Sequence, residues 1–303
     1  MKSREVEVQR GRGVEETRET LKLEVTSSSA PSAPSAPSAP SAPSAPSSVY
    51  GPVRSWRYGR SLGIDPIGLV STCSFNCVYC QLGEIQHHTT TRQVFIPTEN
   101  LVRDLQAVNL ADVDVVTLSG SGEPTQALNL AEILTAAKEI TGLPIVVLTN
   151  STFLGELEVR SALKLADIVA AKLDAVSPDQ LRRVNRPAGA IEWVDIIAGI
   201  KQFRQEYEGN LAIQTMILSR WSDEAQGEYI RLMEELRPSE IQLNAPTRGR
   251  SLTRQLEARG NDPQIPSDSM QVLKPVSLEI LQAFAAKIHN STGIAVRHRD
   301  FRF

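Results

Sequence analysis

Short apolar runs that alternate with amphipathic segments constrain the fold of this chain most strongly. Six runs rich in Val, Ile and Leu contain enough apolar residues for strands, at 62–70, 113–118, 144–150, 167–174, 211–218 and 241–246. Segments with apolar residues at helical spacing lie at 98–108, 128–140, 154–165, 191–203 and 224–236. Strands this apolar must be covered on both faces, and right-handed crossovers make them parallel. The pattern predicts an α/β fold whose parallel sheet curls into a barrel or part of one.

Weaker signals predict further elements outside this alternation. Thr98 is a candidate helix cap, because its hydroxyl can accept a hydrogen bond from the first turn. The remaining expectations are a short strand at 95–96, a polar loop at 251–275, a final helix at 278–288, a strand at 294–296 and a solvated end at 297–300.

The N-terminal part of the chain has a low-complexity composition. Residues 30–47 are six copies of Ala-Pro-Ser, and residues 1–29 are rich in Glu, Arg and Thr with few large apolar side chains. Proline at every third position blocks helix and sheet, and nothing here can form a core. We expect a disordered extension at 1–48 and one domain at 49–303, divided into a core at 60–250 and a C-terminal helical extension at 251–303.

The charge balance argues against several functional classes. The chain has 32 Lys and Arg against 35 Asp and Glu, a net charge of −3, which argues against a general nucleic-acid-binding surface. No apolar run reaches the length of about 18 residues that a membrane span needs, and the N-terminus lacks the apolar segment of a secretory signal. Two arginine groups could bind phosphate, RNA or an acidic peptide, or lie on solvated faces: Arg182, Arg183 and Arg186, and Arg248, Arg250 and Arg254.

All three cysteines of the chain lie within residues 73–80, whose sequence is CSFNCVYC. An odd number of cysteines cannot all pair in disulfides, whereas three thiolates at this spacing can bind one metal centre. Cysteine alone leaves one coordination position unfilled, which is typical of catalytic metal sites. The alternative is a Cys3His zinc site completed by His87 or His88. Thiols that must stay reduced fit a cytoplasmic location.

The spacing C-x3-C-x2-C, with an aromatic residue before the last cysteine, resembles the signature of the radical S-adenosylmethionine (SAM) superfamily. The resemblance implies that Cys73, Cys77 and Cys80 hold a [4Fe–4S] cluster and that SAM chelates the fourth iron. It also implies that Tyr79 packs near the SAM adenine and that the fold is a partial (β/α)6 barrel. From about residue 50 to 250, and most clearly at YGPVRSWRYGRSLGIDP, the chain is similar to iron–sulfur oxidoreductases related to the enzymes that form wyosine bases in tRNA.

Polar residues follow the predicted strands, where barrel enzymes gather their chemistry. Gly122-Glu123-Pro124 stands where the family binds the methionine amino group of SAM, and glycine lets a ligand approach the backbone closely. The resemblance therefore implies that Gly122 and Glu123 bind SAM, and Asn150 is expected in the same binding site. Further polar strand ends are expected to line this pocket or to bond loop backbone, and they are Gln214, Met216, Gln242 and Asn244.

Lys172 and Asp174 are the most informative pair at these strand ends. At positions i and i+2 their side chains project from the same face of a strand. The resemblance implies that they hold the ribose or carboxylate of SAM. Two alternatives are a catalytic Lys172 amine that forms a Schiff base with a carbonyl substrate and an internal ion pair.

We therefore predict a radical SAM enzyme that reductively cleaves SAM to a 5′-deoxyadenosyl radical and abstracts hydrogen from a substrate. A tRNA base is one candidate substrate, and a flavodoxin or ferredoxin is the expected electron donor. The chain departs from the wyosine enzymes, because it has no cysteine for a second cluster and no room for a flavodoxin-like domain. A peptide or small-molecule substrate is equally open. The competing prediction is a non-catalytic metal-binding or electron-transfer iron–sulfur protein.

Overall fold

The computed structural model describes residues 47–247, 249–251 and 270–302, which belong to the unit Ala45–Phe303. Its strands are β1 Val49–Ser55, β2 Gly59–Ile64, β3 Thr72–Cys73, β4 His87–His88, β5 Val115–Leu118, β6 Ile145–Thr149, β7 Ile168–Lys172, β8 Asn210–Met216, β9 Glu240–Asn244, β10 Arg250–Ser251, β11 Met270–Gln271, β12 Val296–His298 and β13 Phe301–Arg302. Its helices are α1 Thr98–Gln106, α2 Leu130–Thr141, α3 Leu157–Leu163, α4 Pro178–Val184, α5 Trp193–Glu206, α6 Asp223–Leu236 and α7 Leu278–Thr292.

Nine of the described strands form one sheet in the order β1-β2-β5-β6-β7-β8-β9-β12-β13. The seven strands from β2 to β12 are parallel, whereas β1 and β13 are antiparallel strands at the two edges. The predicted α/β fold with a parallel sheet is confirmed. The expected count of six parallel strands becomes seven, because β12 pairs with β9 instead of lying in a separate extension. The sheet thus exceeds the expected core of 60–250 at both ends.

The central strands are buried on both faces, which is why their sequences read as continuous apolar runs. Val116 and Leu118 of β5 are fully buried in the same hydrophobic core as Leu134 of α2 and Ile213 of β8. Thr117, between the two apolar residues, instead lines an interior cavity. This alternation places the core between sheet and helices and leaves the inner face of the sheet for a site.

The β1–β2 hairpin connects the two edges of the sheet through side chains. Its tip is residues 56–58, between the antiparallel partners β1 and β2. Arg57 Nη2 donates a hydrogen bond to Asn244 Oδ1 of β9 at 2.6 Å. Gln242 Nε2 of the same strand donates to the Tyr58 hydroxyl at 2.9 Å. The tip therefore closes the opening of the partial barrel, which strand pairing leaves open between β1 and β13.

Part of the segment 297–300 takes part in this closure, so the expectation of a solvated end was wrong for Arg297 and His298, whereas Arg299 and Asp300 are exposed. His298 is buried, and its ring lies 4.9 Å from the Phe301 ring. Arg297 forms a 2.9 Å ion pair with Glu240 of β9. The pairing of β12 with β9 draws these side chains inward, and a strand of three residues gives little sequence signal for that pairing.

Two local expectations also differ from the structure. Residues 95–96 form no strand, and the nearest pairing is an isolated bridge between Gln93 and Ala127. Thr98 is the first residue of α1 and not its cap, since Pro97 occupies the N-cap position. The Thr98 hydroxyl donates instead to Glu132 at 2.7 Å, so a contact with α2 replaces the local cap.

The first described residues are anchored to α1. Ser48 is buried, and its amide and hydroxyl both donate to Asp104 Oδ2 at 2.8 Å. Ser48, the last residue of the expected extension at 1–48, is therefore packed against the domain, and residues 1–46 lie outside the described part of the chain. The described helices include none that is both long and apolar enough to cross a membrane.

Candidate active site

The cysteine loop begins at β3, where Cys73 is the last residue of the strand, and contains Cys77 and Cys80. The three thiols form no disulfide and are partly exposed. Burial raises the pKa of all three, to about 12 for Cys77. Coordination to a cation deprotonates such thiols. Three thiols from one loop, without a fourth cysteine, fit a [4Fe–4S] cluster that keeps one iron open to another ligand.

The segment 184–188, which follows α4, holds the cysteine loop in place. Asn76 N donates to the Asn185 carbonyl at 3.0 Å, and Ala188 N donates to the Ser74 carbonyl at 2.8 Å. The side chain of Asn185 reaches the loop as well, with its Nδ2 3.4 Å from Cys77 Sγ. Sequence reasoning missed both α4 and Asn185. Ser177 and Pro178 are a recognisable helix start, but no local pattern marks Asn185.

Gly122 pairs with the strand that carries the first cysteine. It forms a parallel bridge with Thr72, and Glu123 N donates to the Thr72 carbonyl at 3.1 Å. A Cβ on Gly122 would lie 1.7 Å from that carbonyl oxygen, so glycine is the residue that allows this approach. The expected SAM-binding edge and the cysteine loop are therefore adjacent.

Glu123 points away from the cavity and into the protein. It is 2% exposed, and its carboxylate accepts hydrogen bonds from the Thr125 amide and hydroxyl, the Thr149 hydroxyl and the Asn150 amide at 2.6–3.1 Å. Burial raises its pKa, and these donors offset part of the effect. The side chain thus ties the end of β5 to the end of β6.

Asn150 lies behind the cysteine loop. Its Nδ2 donates to Ser74 Oγ at 2.8 Å and lies 3.5 Å from Cys73 Sγ. Its Oδ1 accepts from the Thr152 amide and hydroxyl. With φ of 75°, Ser151 turns the backbone here, a conformation that costs a non-glycine residue some stability. Asn150 therefore supports the loop and is not among the residues that line the cavity.

Lys172, Asp174 and Tyr79 form one connected group. Lys172 Nζ lies 3.5 Å from Asp174 Oδ1 and 5.1 Å from the centre of the Tyr79 ring. The Tyr79 hydroxyl donates to Asp174, and Asn185 Nδ2 donates to the same carboxylate at 2.8 Å. The Asp174 side chain is 0% exposed and that of Lys172 is 19% exposed. Of the charged pair, Lys172 thus faces the cavity and Asp174 orients it from behind.

A cavity of about 680 Å³ fills the inside of the barrel beside the cysteine loop. That volume is within the range of small-molecule sites. Seven residues expected from the sequence line it: Tyr79, Cys80, Gly122, Lys172, Gln214, Met216 and Asn244. Gln242 is instead fully buried and donates to Tyr58. The cavity is therefore bounded by one of the three cysteines, the Gly122 edge and the polar ends of the strands.

The histidines of the zinc alternative lie in β4 and are exposed. His88 Nε2 is 3.3 Å from the Ser74 carbonyl. Within the described ranges, no group of three or more His, Cys, Asp and Glu residues is arranged to hold a metal ion. A zinc site needs its ligands on a single ion, whereas a cluster binds each cysteine on a different iron.

The two arginine groups have different surroundings. Arg182 pairs with Asp179 on the surface of α4, and Arg183 lines a second cavity next to α6. Arg250 Nη2 donates to Asn76 Oδ1 of the cysteine loop at 3.3 Å. Arg248 and Arg254 lie outside the described residues.

Comparisons with known proteins identify the family of the chain. The model of the family described as the radical SAM superfamily matches residues 67–233. A UPF0026 protein of Synechocystis is 52% identical over 82% of this chain and 95% of its own length. A UPF0026 protein of Methanocaldococcus jannaschii is 33% identical over 66% of this chain and 63% of its own length.

The fold is similar to that of a solved radical SAM protein. The crystal structure of a radical SAM methyltransferase from Sphaerobacter thermophilus superposes with a TM-score of 0.51 at 16% identity, over 78% of this chain and 66% of that one. This likeness concerns the fold, and the family match concerns the sequence. The chain belongs to the radical SAM superfamily, whose members are generally enzymes that bind a [4Fe–4S] cluster and SAM.

Proposed function

We propose that this protein reductively cleaves SAM and uses the product radical to abstract a hydrogen atom from a substrate. The observation that supports the proposal most is that the cysteine loop, the Gly122 edge and the interior cavity are adjacent. The cysteine loop pairs with the Gly122 edge, and Cys80 and Gly122 line the same cavity of about 680 Å³.

Each element of the site has a distinct role in this proposal. Cys73, Cys77 and Cys80 hold the cluster, and the backbone at Gly122 binds SAM. When bound, the cluster supplies an electron to SAM, whose 5′-deoxyadenosyl radical takes hydrogen from the substrate. Enclosure in the barrel keeps water away from such a reactive species.

The remaining predicted residues have two kinds of role: some line the cavity, and others position those residues from behind. Tyr79 and Lys172 line the cavity and contact SAM in this proposal. Glu123, Asn150 and Asp174 position these groups from behind, since their side chains are buried and hydrogen bonded within the protein. A direct catalytic role of the Lys172 amine is the finer alternative, and borohydride trapping of a substrate adduct would test it.

The finer parts of the family resemblance are proposals as well. They comprise a tRNA base as substrate, a flavodoxin or ferredoxin as electron donor, and a cytoplasmic location that suits reduced thiols. The absence of a further cysteine in the chain argues against the two-cluster chemistry of the wyosine enzymes.

The test starts from protein purified without oxygen and reconstituted with iron and sulfide. Dithionite and SAM are added, and 5′-deoxyadenosine and methionine are quantified by chromatography. We expect both products from the wild type and neither from Cys77→Ala. His88→Ala is the matched control, because His88 is the histidine whose ring contacts the cysteine loop. A zinc site completed by His88 would lose its metal with this change, and a three-cysteine cluster would not.

The outcomes separate the two functional classes. Deoxyadenosine from the wild type and from His88→Ala, but not from Cys77→Ala, supports the enzyme. Zinc in the purified protein, no iron uptake and metal loss in His88→Ala would show a structural metal site. A reducible cluster that leaves SAM intact, even with cell extract as a substrate source, would show electron transfer.

A further inference from the structure

The charged residues that line the interior cavity all carry the same sign. They are Arg54, Arg57, Lys172 and Arg299, and the described lining contains no Asp or Glu. The chain as a whole has a net charge of −3, so this concentration of positive charge is local. Low-dielectric walls strengthen the field of such a cluster on a ligand.

A second cavity of about 800 Å³ offers a useful contrast. It is lined by both signs, with Arg183, Arg220 and Arg231 opposite Asp174, Glu224 and Glu228. Mixed charge gives it no preference for an anion. The positive lining of the first cavity is therefore not a general property of concave surfaces in this protein.

The three arginines come from opposite parts of the sheet. Arg54 and Arg57 belong to the β1–β2 hairpin and its tip, whereas Arg299 follows β12 near the other edge. All three line the same cavity as Cys80 and Gly122. The contact of the hairpin tip with β9 therefore brings the arginines into one cavity with the expected cofactor site.

Arg57 is held in place at the centre of this group. Its Nη2 donates to Asn244 Oδ1 at 2.6 Å, and its guanidinium lies 4.3 Å from the centre of the Trp56 ring. The exposed Arg54 and Arg299 lie at the rim, where Arg299 Nε is 3.6 Å from Asp300. One fixed and two exposed guanidinium groups therefore contribute positive charge to the cavity lining.

We propose that the arginines of this lining bind a phosphate ester group of the substrate. Arginine pairs with phosphate through parallel N–H···O bonds. Three arginines suit a phosphate better than a single carboxylate, because a phosphate offers more oxygens and a monoester carries up to two negative charges. The inference rests on the proposed function, since it places the substrate in the cavity that also takes the cofactors. The phosphate belongs either to a free nucleotide or sugar phosphate or to a nucleic-acid strand that inserts one nucleotide.

Binding to the reconstituted full-length protein, measured with SAM present, tests the proposal. The ligands are GMP, ribose 5-phosphate, a ten-nucleotide RNA and glutarate, a dicarboxylate without phosphate. Arg54→Gln and Arg299→Gln each remove one rim guanidinium. Arg60→Gln is the matched control, because Arg60 lies on the same hairpin but pairs with Asp112 and Asp114 and does not line the cavity. We expect about tenfold weaker phosphate binding in each rim variant and wild-type binding in the control.

Each outcome decides the proposal. Tight binding of GMP or ribose 5-phosphate that the rim variants weaken supports a small phosphate ester, and the same result with RNA alone supports a nucleic-acid phosphate. Absence of phosphate binding, equal binding of glutarate, unchanged binding in folded rim variants, or an equal loss in Arg60→Gln overturns it. Deoxyadenosine formation by the wild type is measured in the same samples. Protein that cleaves SAM but binds no phosphate refutes the subsite, and protein that cleaves no SAM refutes the proposed function.

Discussion

The amide nitrogen of Asn185 lies 3.4 Å from the Cys77 sulfur and donates to Asp174 Oδ2 at 2.8 Å. Asn185 is 1% exposed, and its Oδ1 is buried without a hydrogen-bond partner among the described residues. Such an acceptor costs about 1–3 kcal/mol. A flipped Asn185 amide would place Oδ1 against the Asp174 carboxylate, which would repel it. The carboxylate therefore fixes the orientation of the Asn185 amide and directs one of its N–H groups towards Cys77.

The Asn185–Cys77 contact predicts a change in the reduction potential of the bound cluster. Donors to cluster sulfurs stabilise the reduced, more negative state. We expect Asn185→Ala to lower the potential by about 20–60 mV, the one-electron equivalent of a hydrogen bond worth about 0.5–1.5 kcal/mol. Potentiometric titration followed by electron paramagnetic resonance measures it. Asn109→Ala, at an exposed asparagine, should leave the potential unchanged, and an unchanged potential in a folded, iron-replete Asn185→Ala would contradict the expectation.

Gly122→Ala should strongly destabilise the protein. Its Cβ would overlap the Thr72 carbonyl at 1.7 Å, and the backbone on either side cannot move without breaking the pairing with β3. We expect a loss of about 3 kcal/mol in the free energy of unfolding, measured by urea denaturation under anaerobic conditions.

The matched control for Gly122→Ala is Gly227→Ala in α6. A Cβ at Gly227 meets nothing within 4 Å, and alanine favours a helix interior over glycine by about 0.5–1 kcal/mol. We therefore expect stabilisation by this change. Equal changes in the free energy of unfolding for the two substitutions would show that the backbone at Gly122 and Thr72 can move apart to accommodate a Cβ.

His298 predicts a pH dependence of stability. Burial lowers the pKa of His298 from its usual 6.5, with Arg299 and Arg57 adding to the effect and Asp300 opposing it. Below pH 6.5 the unfolded chain binds a proton that the folded protein does not, so the free energy of unfolding falls as the pH decreases towards the folded-state pKa. His298→Gln removes this contribution. Urea denaturation at pH 7.5 and 5.5 should show a smaller decrease for the variant, and parallel decreases would contradict the lowered pKa.

Truncation tests where the structured chain begins. A protein that starts at residue 47 should keep cluster assembly, SAM cleavage and wild-type stability, since the repeat composition of the removed segment cannot form a core. A protein that starts at residue 49 loses both hydrogen bonds from Ser48 to Asp104. We expect it to be about 1–2 kcal/mol less stable.

Asp104→Asn provides the control for this truncation. This substitution weakens the same contact within the full chain. Truncation to residue 49 should therefore lower the free energy of unfolding less in the Asp104→Asn protein than in the wild type. Loss of the cluster on deletion of residues 1–46 would refute the prediction that this extension is not needed by the domain.

Local sequence patterns were enough to predict the parallel strands and several residues of the candidate site. The both-face burial of a parallel sheet imposes continuous apolar runs such as that around Val116, which therefore predict strands. The three cysteines and Gly122 could be recognised because cluster binding and close backbone approach each require particular residue types. The pairing of Lys172 with Asp174 could be predicted because residues two apart in an extended segment project to the same side, although β7 itself ends at Lys172.

Other features were decided only by the tertiary structure. Arg57 and Asn244 are 187 residues apart, and Asn185 and Cys77 are 108 apart. No local period or residue preference specifies such contacts. The first forms when the hairpin tip reaches β9, and the second forms when the segment after α4 packs on the cysteine loop. The contact of the hairpin tip also collects the arginines in one cavity. Glu123 turns into the protein because Thr149 and Asn150, at the end of the next strand in the sheet, supply its hydrogen bonds. Partners of buried polar groups depend on which distant segments meet, and that is a property of the folded sheet.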